Sequence, residues 1–363
     1  DSLAAAYVTC DQLVTFENVE VQVETEAPSE GKLYIAKGSK NWVSVAKEIN
    51  VENLKKQTLE LLAINVKRMD LSKHNAVRPR KVFYDHDGNN DDLISPQFVL
   101  SMENVDLLGV SITPADCLIE DGTIATLKIL SAYGKTDIPV AKGKIYGPNP
   151  FPYEWRTNAK IINGMPLLIN QKINLKQVVQ EPAEDLMIKV IKGSKEKVTV
   201  LLTGPCTNFA AALEKAPEIK DNIEEVVLMG GAVDVHGNVG QYNHDGTAEW
   251  NIYYDPLAAK KVFASGLEIT TFSLDSTNHV PVNMEFLRKL GEQKEYSASY
   301  LASMIWAPTV KNIPSAEYLY FMWDTLAVAY LGCDKLCTFR RVELDVDIEP
   351  PSEGRTFKKP GNG

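Results

Sequence analysis

The chain has few cysteines and no long apolar run. Five cysteines are spread over 363 residues without any Cys-x-x-Cys spacing. A structural zinc site and a disulfide framework are therefore not indicated. No apolar stretch approaches the roughly 18 residues that a membrane span needs. We therefore expect no membrane partner.

Positive charge is also scarce. The chain carries 38 Lys and Arg against 48 Asp and Glu, a formal net charge of −10 at pH 7. An acidic surface argues against nucleic-acid binding. With 44% apolar residues, the chain can form one large α/β domain or two modest ones without covalent staples.

The two ends of the chain resemble each other. The stretch from Asp1 to Gly31 matches the stretch from Asp324 to Gly354 without a gap, and roughly half of about 34 aligned positions are identical. We interpret residues 1–78 as the C-terminal piece of a preceding repeat domain plus a linker. Residues 79–363 then form the main domain.

An amphipathic segment in the leading part has the pattern of a closing helix. This segment, Asn50–Ala63, has no counterpart at the end of the main domain, whose matching strand ends near Phe357. We expect it to dock on the main sheet in place of the missing helix. The alternative is a leading segment without ordered structure.

Short β-type runs alternate with helical patterns across the main domain. This alternation predicts an α/β fold with a doubly wound, mostly parallel central sheet and helices on both faces. In such sheets the site lies outside the carboxyl ends of the strands. The predicted strands are Lys81–Tyr84, Val105–Thr113, Pro139–Ala141, Val198–Thr203, Glu225–Met229 and Ile269–Leu274, and the predicted helices are Glu120–Tyr133, Ala183–Lys192, Asn208–Glu214 and Pro256–Ala264.

An acidic cluster follows the first of these strands. Residues 85–92 read Asp-His-Asp-Gly-Asn-Asn-Asp-Asp, with four carboxylates that repel one another unless a cation or protons intervene. Hard divalent cations prefer such oxygen ligands. An EF-hand is excluded, because no Glu closes a twelve-residue loop and a strand precedes the cluster. A solvated Asx-rich turn is the alternative.

A strand followed by Asp-x-Asp-x-x-x-Asp-Asp resembles the signature of the nucleoside hydrolase family. Four more segments resemble that family in the same order, and the resemblance covers almost all of residues 81–357. It implies a Rossmann-like nucleoside hydrolase fold and calcium-dependent hydrolysis of a nucleoside to free base and ribose. The four segments are Thr203–Asn208, Val227–Gly231, Asn238 with Glu249–Asn251, and Trp323–Tyr330.

The resemblance implies one calcium ion. Its ligands would be the carboxylates of Asp87, Asp92 and Asp324 and the backbone carbonyl of Thr203, completed by water and ribose hydroxyls. Carboxylate and carbonyl oxygens suit a hard ion, and the absence of His and Cys ligands disfavours zinc. For Asp324 alone, a helix N-cap is the ordinary alternative.

The resemblance also assigns roles around the ribose. Asp87 would accept a proton from the attacking water, and Asp91 would accept a ribose hydroxyl bond, in an oxocarbenium-like transition state. The rest of the substrate-binding set would be Asn89, Met229, Asn238, Glu249, Trp250 and Asn251. Glu249 and Asn251 taken alone are typical of surface loops.

Two tryptophans indicate the purine-specific branch of the family. Trp323 stands before Asp324 where another branch has His, Trp155 lies in a segment that resembles the branch's second Trp, and Asp116 stands where other members have Asn. We therefore expect purine ribonucleosides (inosine, adenosine, guanosine) as substrates. Either Trp alone could equally be a core aromatic. We expect the four histidines that could serve as acids, namely His86, His236, His244 and His279, on the surface or in loops.

Two other functions fit parts of the sequence. One is a catalytically inactive, hydrolase-like scaffold or binding domain of a tandem protein. The other is a metal-dependent phosphatase, but that predicts a basic phosphate clamp, and the five motifs contain no Arg or Lys. The resemblance to plant tandem members implies an extracellular (apoplast) location, whereas the few cysteines favour the cytoplasm. A homo-oligomer is possible.

Overall fold

The computed structural model describes residues 79–311, 320–332 and 338–359, and the backbone of three strands before them. The chain forms two compact units, Asp1–Asn65 and Val66–Gly363. Within these described ranges, no helix combines the length and the apolar character needed to cross a bilayer.

The first unit contains a three-stranded antiparallel sheet. Its strands are β1 (Val14–Val23), β2 (Leu33–Ile35) and β3 (Trp42–Ile49), in the order β2-β1-β3. The predicted helix Asn50–Ala63 and nearly all of the linker Lys67–Arg80 lie outside the described residues, so the docking of that helix stays a prediction.

The second unit is built on a six-stranded sheet in which every neighbouring pair is parallel. The order β6-β5-β4-β7-β8-β9 places the first strand in the middle and reverses direction there, as in doubly wound sheets. The predicted fold class is confirmed. The strands are β4 (Arg80–His86), β5 (Val105–Ile112), β6 (Val140–Lys142), β7 (Val198–Leu202), β8 (Ile223–Met229) and β9 (Ile269–Phe272).

Helices cover both faces of this sheet. Those on one face are α1 (Asn90–Ser101), α2 (Ile119–Ala132), α10 (Ser297–Lys311) and α11 (Trp323–Gly332). Those on the other face are α4 (Ala183–Gly193), α5 (Thr207–Lys215) and α7 (Pro256–Phe263). Shorter elements connect them: α3 (Asn158–Asn163), α6 (Trp250–Tyr254), α8 (Leu274–Thr277), α9 (Met284–Glu292), and the pairs β10 (Pro281–Val282) with β11 (Tyr320–Phe321) and β12 (Leu344–Val346) with β13 (Thr356–Lys358).

The period-two alternation of the strands explains why two separate cores exist. Along β4, Val82 and Tyr84 belong to one buried cluster, and Phe83 between them belongs to the other. Successive side chains of a strand point to opposite faces, so a strand covered on both faces is buried along its length and is mostly apolar. All five residues of β7 are buried accordingly.

The duplicated stretches form the same hairpin. In β12–β13, Val346 pairs with Thr356, and in β1–β2 the matching residues Val23 and Leu33 pair in the same antiparallel register. The internal repeat is therefore also a repeat of backbone pairing. The interpretation of residues 1–78 as a piece of a preceding repeat domain stays a prediction.

A buried ion pair joins the first strand of the main sheet to β8. The guanidinium of Arg80 contacts the carboxylate of Glu225, and both residues are at least 94% buried. The same guanidinium lies over the ring of Tyr330, 5.1 Å from its centroid. Nearby, the amide of Asn104 donates to the carbonyl of Leu331 at 2.8 Å. These contacts attach the C-terminal end of α11 to the amino-terminal ends of the strands, opposite the carboxyl ends.

We expect Glu225→Ala to lower the free energy of unfolding by about 3–5 kcal/mol, because it leaves the Arg80 charge buried without its carboxylate. Glu218→Ala is the control, since Glu218 pairs with Lys192 at an exposed position, and such pairs contribute less than about 1 kcal/mol. Denaturant unfolding of both variants measures the difference. Equal losses would contradict a structural role for the buried pair.

Candidate active site

The acidic cluster lies at the carboxyl end of β4, in the middle of the sheet. Asp85, the deepest carboxylate, accepts hydrogen bonds from the hydroxyl of Ser111 at 2.7 Å and the amide of Asn208 at 3.0 Å. It is fully buried, and burial raises its pKa to about 7. Its oxygens are engaged by donors from β5 and from the first turn of α5, so Asp85 supports the cluster from beneath.

A helix that the sequence analysis did not predict begins inside the acidic motif. Asn89 is the N-cap of α1, and its backbone N–H donates to Asp92 at 3.0 Å. Asp91 and Asp92 therefore lie in the first turn, where the helix dipole favours negative charge. Gly88 makes the preceding turn with φ 83°, and an added Cβ would come within 2.7 Å of the sulfur of Cys117.

Residues at the carboxyl end of β7 and at the start of α11 donate hydrogen bonds to the acidic cluster. Asp92 accepts a hydrogen bond from the hydroxyl of Thr203 at 2.6 Å. Asp91 accepts from the backbone N–H of Asp324 at 3.4 Å and from the phenol of Tyr320 at 3.1 Å. Helix α11 begins at Trp323, so Asp324 lies in its first turn and is not its N-cap.

The Glu249–Asn251 motif is the buried start of α6, and its expected alternative as a surface loop is wrong. Glu249 is the N-cap, and its carboxylate accepts from the N–H groups of Asn251 at 2.9 Å and Gly231 at 3.1 Å. Burial raises the pKa of Glu249 to about 7. The amide of Asn251 donates to the carbonyls of Thr203 at 2.7 Å and Met229 at 3.3 Å. The side chain of Asn251 thus bridges the ends of two strands, β7 and β8.

Asn238 and Trp250 make contacts outside the acidic cluster. Asn238 is exposed, and its backbone N–H pairs with Ala248 at 2.9 Å. Trp250 is 5% exposed and packs among Phe151 and Tyr253 in an aromatic core cluster.

The two tryptophans expected at the base lie in different aromatic groups. Trp155 is half-buried, with its ring centroid 5.1 Å from that of Trp250. Trp323 is half-buried against Tyr320, at 4.6 Å between centroids. Both therefore keep exposed surface.

Asp116 joins the cluster through Asn89. The amide of Asn89 donates to one carboxylate oxygen of Asp116, and the other oxygen is buried without a hydrogen-bond partner. Burial raises the pKa of Asp116 well above its ordinary value, against the lowering by the Asn89 hydrogen bond.

The prediction that the histidines lie on the surface or in loops is wrong for His86. This side chain is fully buried within β4 and stacks on Tyr84 at 4.9 Å. Burial lowers its pKa to about 4, so it is neutral at physiological pH. His236 and His279 are exposed, and His244 lies in a loop, where it contacts the carbonyl of Glu353 at 3.0 Å.

Sequence reasoning missed two residues that contact the cluster. Tyr320 contacts Asp91, and the amide of Asn158 donates to Asn89 at 2.8 Å. Neither lies in a recognised motif, although each is three residues from an expected tryptophan. That proximity was the one available signal.

The donor chemistry fits a hard cation. One oxygen of Asp87 is buried without a hydrogen-bond partner. Burial and then the charge of Asp92 raise the pKa of Asp87, and burial and the charge of Asp91 raise that of Asp324. A cation would relieve both effects. In the described ranges no three His, Cys, Asp or Glu side chains are arranged as a metal site. Both oxygens of Asp92 accept hydrogen bonds from protein donors.

Comparison with known proteins establishes the relationship. A profile described as inosine-uridine preferring nucleoside hydrolase matches residues 82–362. The chain belongs to this family. The family resemblance and the enzyme class are therefore confirmed: the protein is a nucleoside hydrolase, which acts on N-glycosyl bonds.

Two solved structures of nucleoside hydrolases share the fold. The inosine-uridine preferring nucleoside hydrolase from Bacillus anthracis superposes with a TM-score of 0.72 at 36% identity, over 77% of this chain and 90% of that one. The purine-preferring ribonucleoside hydrolase from Gardnerella vaginalis gives a TM-score of 0.64 at 30% identity, over 77% and 89%.

The names of two sequence relatives indicate other base specificities. A pyrimidine-specific ribonucleoside hydrolase, RihA, from Shewanella woodyi is 34% identical over 62% of this chain and 70% of its own length. A probable uridine nucleosidase 2 from Arabidopsis thaliana is 29% identical over 62% and 69%.

We expect the metal-free nucleoside hydrolase to lose stability as the pH rises from about 4 to 7. Burial raises the pKa of Asp91 from 3.8 to about 6 and that of Asp85 to about 7. The folded state therefore binds protons more tightly than the unfolded state, and this stabilisation is complete near pH 4 and lost as these groups ionise.

Thermal melts in chelator across this range measure the effect. Asp91→Asn should flatten the pH dependence, whereas Asp234→Asn should not, because Asp234 is exposed and paired with Lys358. A wild-type melting temperature that rises steadily from pH 4 to 7, with no difference between the variants, would contradict the expected linkage.

Proposed function

We propose that the protein hydrolyses the N-glycosidic bond of purine ribonucleosides to free base and ribose, with calcium as its cofactor. The observation that carries this proposal is a cluster of buried carboxylates at the carboxyl end of β4, directly beside Trp323 and Asp324 at the start of α11. The cluster supplies oxygen ligands and negative charge, and the tryptophan supplies a flat wall.

Asp87, Asp92, Asp324 and the carbonyl of Thr203 are the residues that would hold calcium. Each of these residues is at most 5% exposed. Every proposed ligand atom is an oxygen. When bound, calcium supplies positive charge that keeps Asp87 ionised and makes a neighbouring water more acidic. The amide of Asn251 already fixes the Thr203 carbonyl in direction.

Asp87 is the proposed base for the attacking water. Its second oxygen is buried and free of hydrogen bonds, so it can accept a proton. As the proton moves to Asp87, the water oxygen bonds to the anomeric carbon, and the electrons of the N-glycosidic bond leave with the base. Positive charge develops on the ribose, and the surrounding carboxylates stabilise it.

The ribose would lie between the first turn of α1 and the start of α6. Asp91 and Asn251 are the proposed partners of its hydroxyl groups, with Asn89, Met229 and Glu249 around them. Glu249 already accepts three backbone N–H bonds, so we assign it mainly to holding α6 in place. Asn238 is exposed, and we propose it as a further partner of the ribose hydroxyl groups.

The base would lie between Trp155 and Trp323, next to Asp116. A purine leaves readily only when a ring nitrogen is protonated, and indole faces stabilise a cationic ring. The raised pKa of Asp116 makes its free oxygen a candidate hydrogen-bond donor to the base. Aromatic surface on this scale favours a bicyclic base over a pyrimidine.

The relatives support a second candidate function, hydrolysis of uridine. Proteins named as pyrimidine-specific or as a uridine nucleosidase are about as similar to this chain as the purine-preferring one. The two candidates share the ribose and metal chemistry and differ in the base. Substrate comparison therefore separates them.

We expect inosine to be hydrolysed at least about tenfold faster than uridine, because stacking on two indoles stabilises a protonated purine in the transition state. Trp155→Ala and Trp323→Ala should each reduce kcat for inosine more than they raise KM. Trp306→Phe, within the core, is the control for indole loss. Comparable rates on inosine and uridine would instead favour the second candidate.

We expect a chelator to abolish ribose release, and added calcium to restore it. Zinc should restore little, because every proposed ligand atom is oxygen. Asp87→Asn should stay below about 1% of the wild-type rate even with calcium, since it removes the base and a ligand charge together. Asp347→Asn, in the hairpin β12–β13 region, is the control.

Full activity of protein shown to be metal-free by elemental analysis would exclude the calcium proposal. Substantial activity of Asp87→Asn with an unchanged thermal melt would exclude Asp87 as the base.

A further inference from the structure

Three chain segments meet at the side chain of Asn89. The first is the acidic turn itself, in which Asn89 Oδ1 accepts from the N–H of Asn90 at 2.7 Å. The second is the turn after β5, where Asn89 Nδ2 donates to Asp116. The third is α3, from which Asn158 Nδ2 donates to Asn89 Oδ1 at 2.8 Å.

These bonds fix which way the Asn89 amide faces. Because both donors bind Oδ1, Nδ2 must point to Asp116, and Asp116 keeps its other oxygen buried and free. Loss of Asn158 would leave Asn89 Oδ1 with a single donor, the N–H of Asn90, beside the bond from Nδ2 to Asp116. The orientation of Asp116 would then be less restricted.

Asn158 also carries the segment that bears Trp155. The short 3-10 helix Trp155–Thr157 runs directly into α3 at Asn158. One backbone bond, from Leu118 N–H to the carbonyl of Arg156 at 3.0 Å, ties the same segment to the turn after Asp116. Asn158 is therefore the side chain that links the expected base wall to the acidic turn.

We propose that Asn158 is a positioning residue for departure of the base: its amide aligns Asp116 with Trp155 through Asn89. The inference rests on the proposed function, because it assigns Asp116 and Trp155 to the base. The inference predicts that loss of Asn158 slows hydrolysis of substrates whose leaving group must be protonated. It predicts little effect on substrates whose leaving group departs without protonation.

Two substrates separate these cases. Inosine loses a base that requires protonation, whereas 4-nitrophenyl β-D-ribofuranoside loses a stable phenolate. We expect Asn158→Ala to reduce kcat on inosine by about tenfold or more and kcat on the nitrophenyl riboside by less than about threefold, because misplacement of a leaving-group contact affects only the first.

Asn158→Asp is the second variant, and Asn163→Ala is the matched control. The aspartate keeps the size of the side chain, but it replaces the donor that faces Asn89 Oδ1 with an acceptor. Asn163 lies on the same helix, is also half-buried, and donates to the carbonyl of Asp121 at 3.0 Å. Asn163→Ala should leave kcat on both substrates unchanged. Its thermal melting temperature should be close to that of Asn158→Ala.

Equal losses on both substrates, no loss on inosine, or unfolding of both Asn158 variants would overturn the inference. These results differ from failure of the proposed function. If the wild-type protein with calcium does not hydrolyse inosine, the proposed function fails and this inference with it. If the wild-type protein does so and the variants lose both substrates equally, the positioning role alone is wrong.

Discussion

The burial of several carboxylates at one place is the constraint on which the site depends. Asp85, Asp87, Asp91, Asp92 and Asp324 are all at most 5% exposed. Charges that close repel and lose their hydration, so each must find donors, protons or a cation. The strand ends and helix starts around them meet this need, with Ser111 and Asn208 beneath Asp85 and the N-terminus of α1 behind Asp92.

The parallel sheet places these donors where the carboxylates are. Backbone groups at the carboxyl ends of β4, β7 and β8 have no further strand residues to pair with, and Asn251 bridges two of them. At the opposite edge, the Arg80–Glu225 pair and Tyr330 hold the other end of α11. A helix held at both ends keeps Asp324 and Trp323 in fixed positions.

The family contains members with different base preferences, and the structure indicates where such differences can arise. The residues that we propose to hold the ribose and calcium lie at strand ends and helix starts of the central sheet. Trp155, by contrast, lies on a short 3-10 helix between β6 and α4, which is joined to the sheet by few polar bonds. A segment of this kind can change in sequence without loss of the core, because loops tolerate variation better than strands do.

The sequence by itself determined the fold class and the family. Mostly apolar runs such as Val198–Leu202, which is buried at every position, indicate a parallel sheet covered on both faces. Their pattern depends on local strand geometry and is therefore visible in the sequence. Spaced carboxylates after a strand likewise identified the acidic site. The repeat of Asp1–Gly31 was also visible, and the two stretches form hairpins with the same register.

Only the tertiary structure decided which side chains meet. The start of α1 inside the acidic motif was not predicted, because polar residues at an N-cap and in a loop look alike without knowledge of what their oxygens bind. His86 was expected on the surface or in a loop, and a surface loop was the alternative interpretation of Glu249, yet both side chains are buried. Tyr320 contacts Asp91, which lies 229 positions away in the sequence. Asn158 contacts Asn89, which lies 69 positions away. Such contacts depend on how distant segments pack, and no local pattern encodes them.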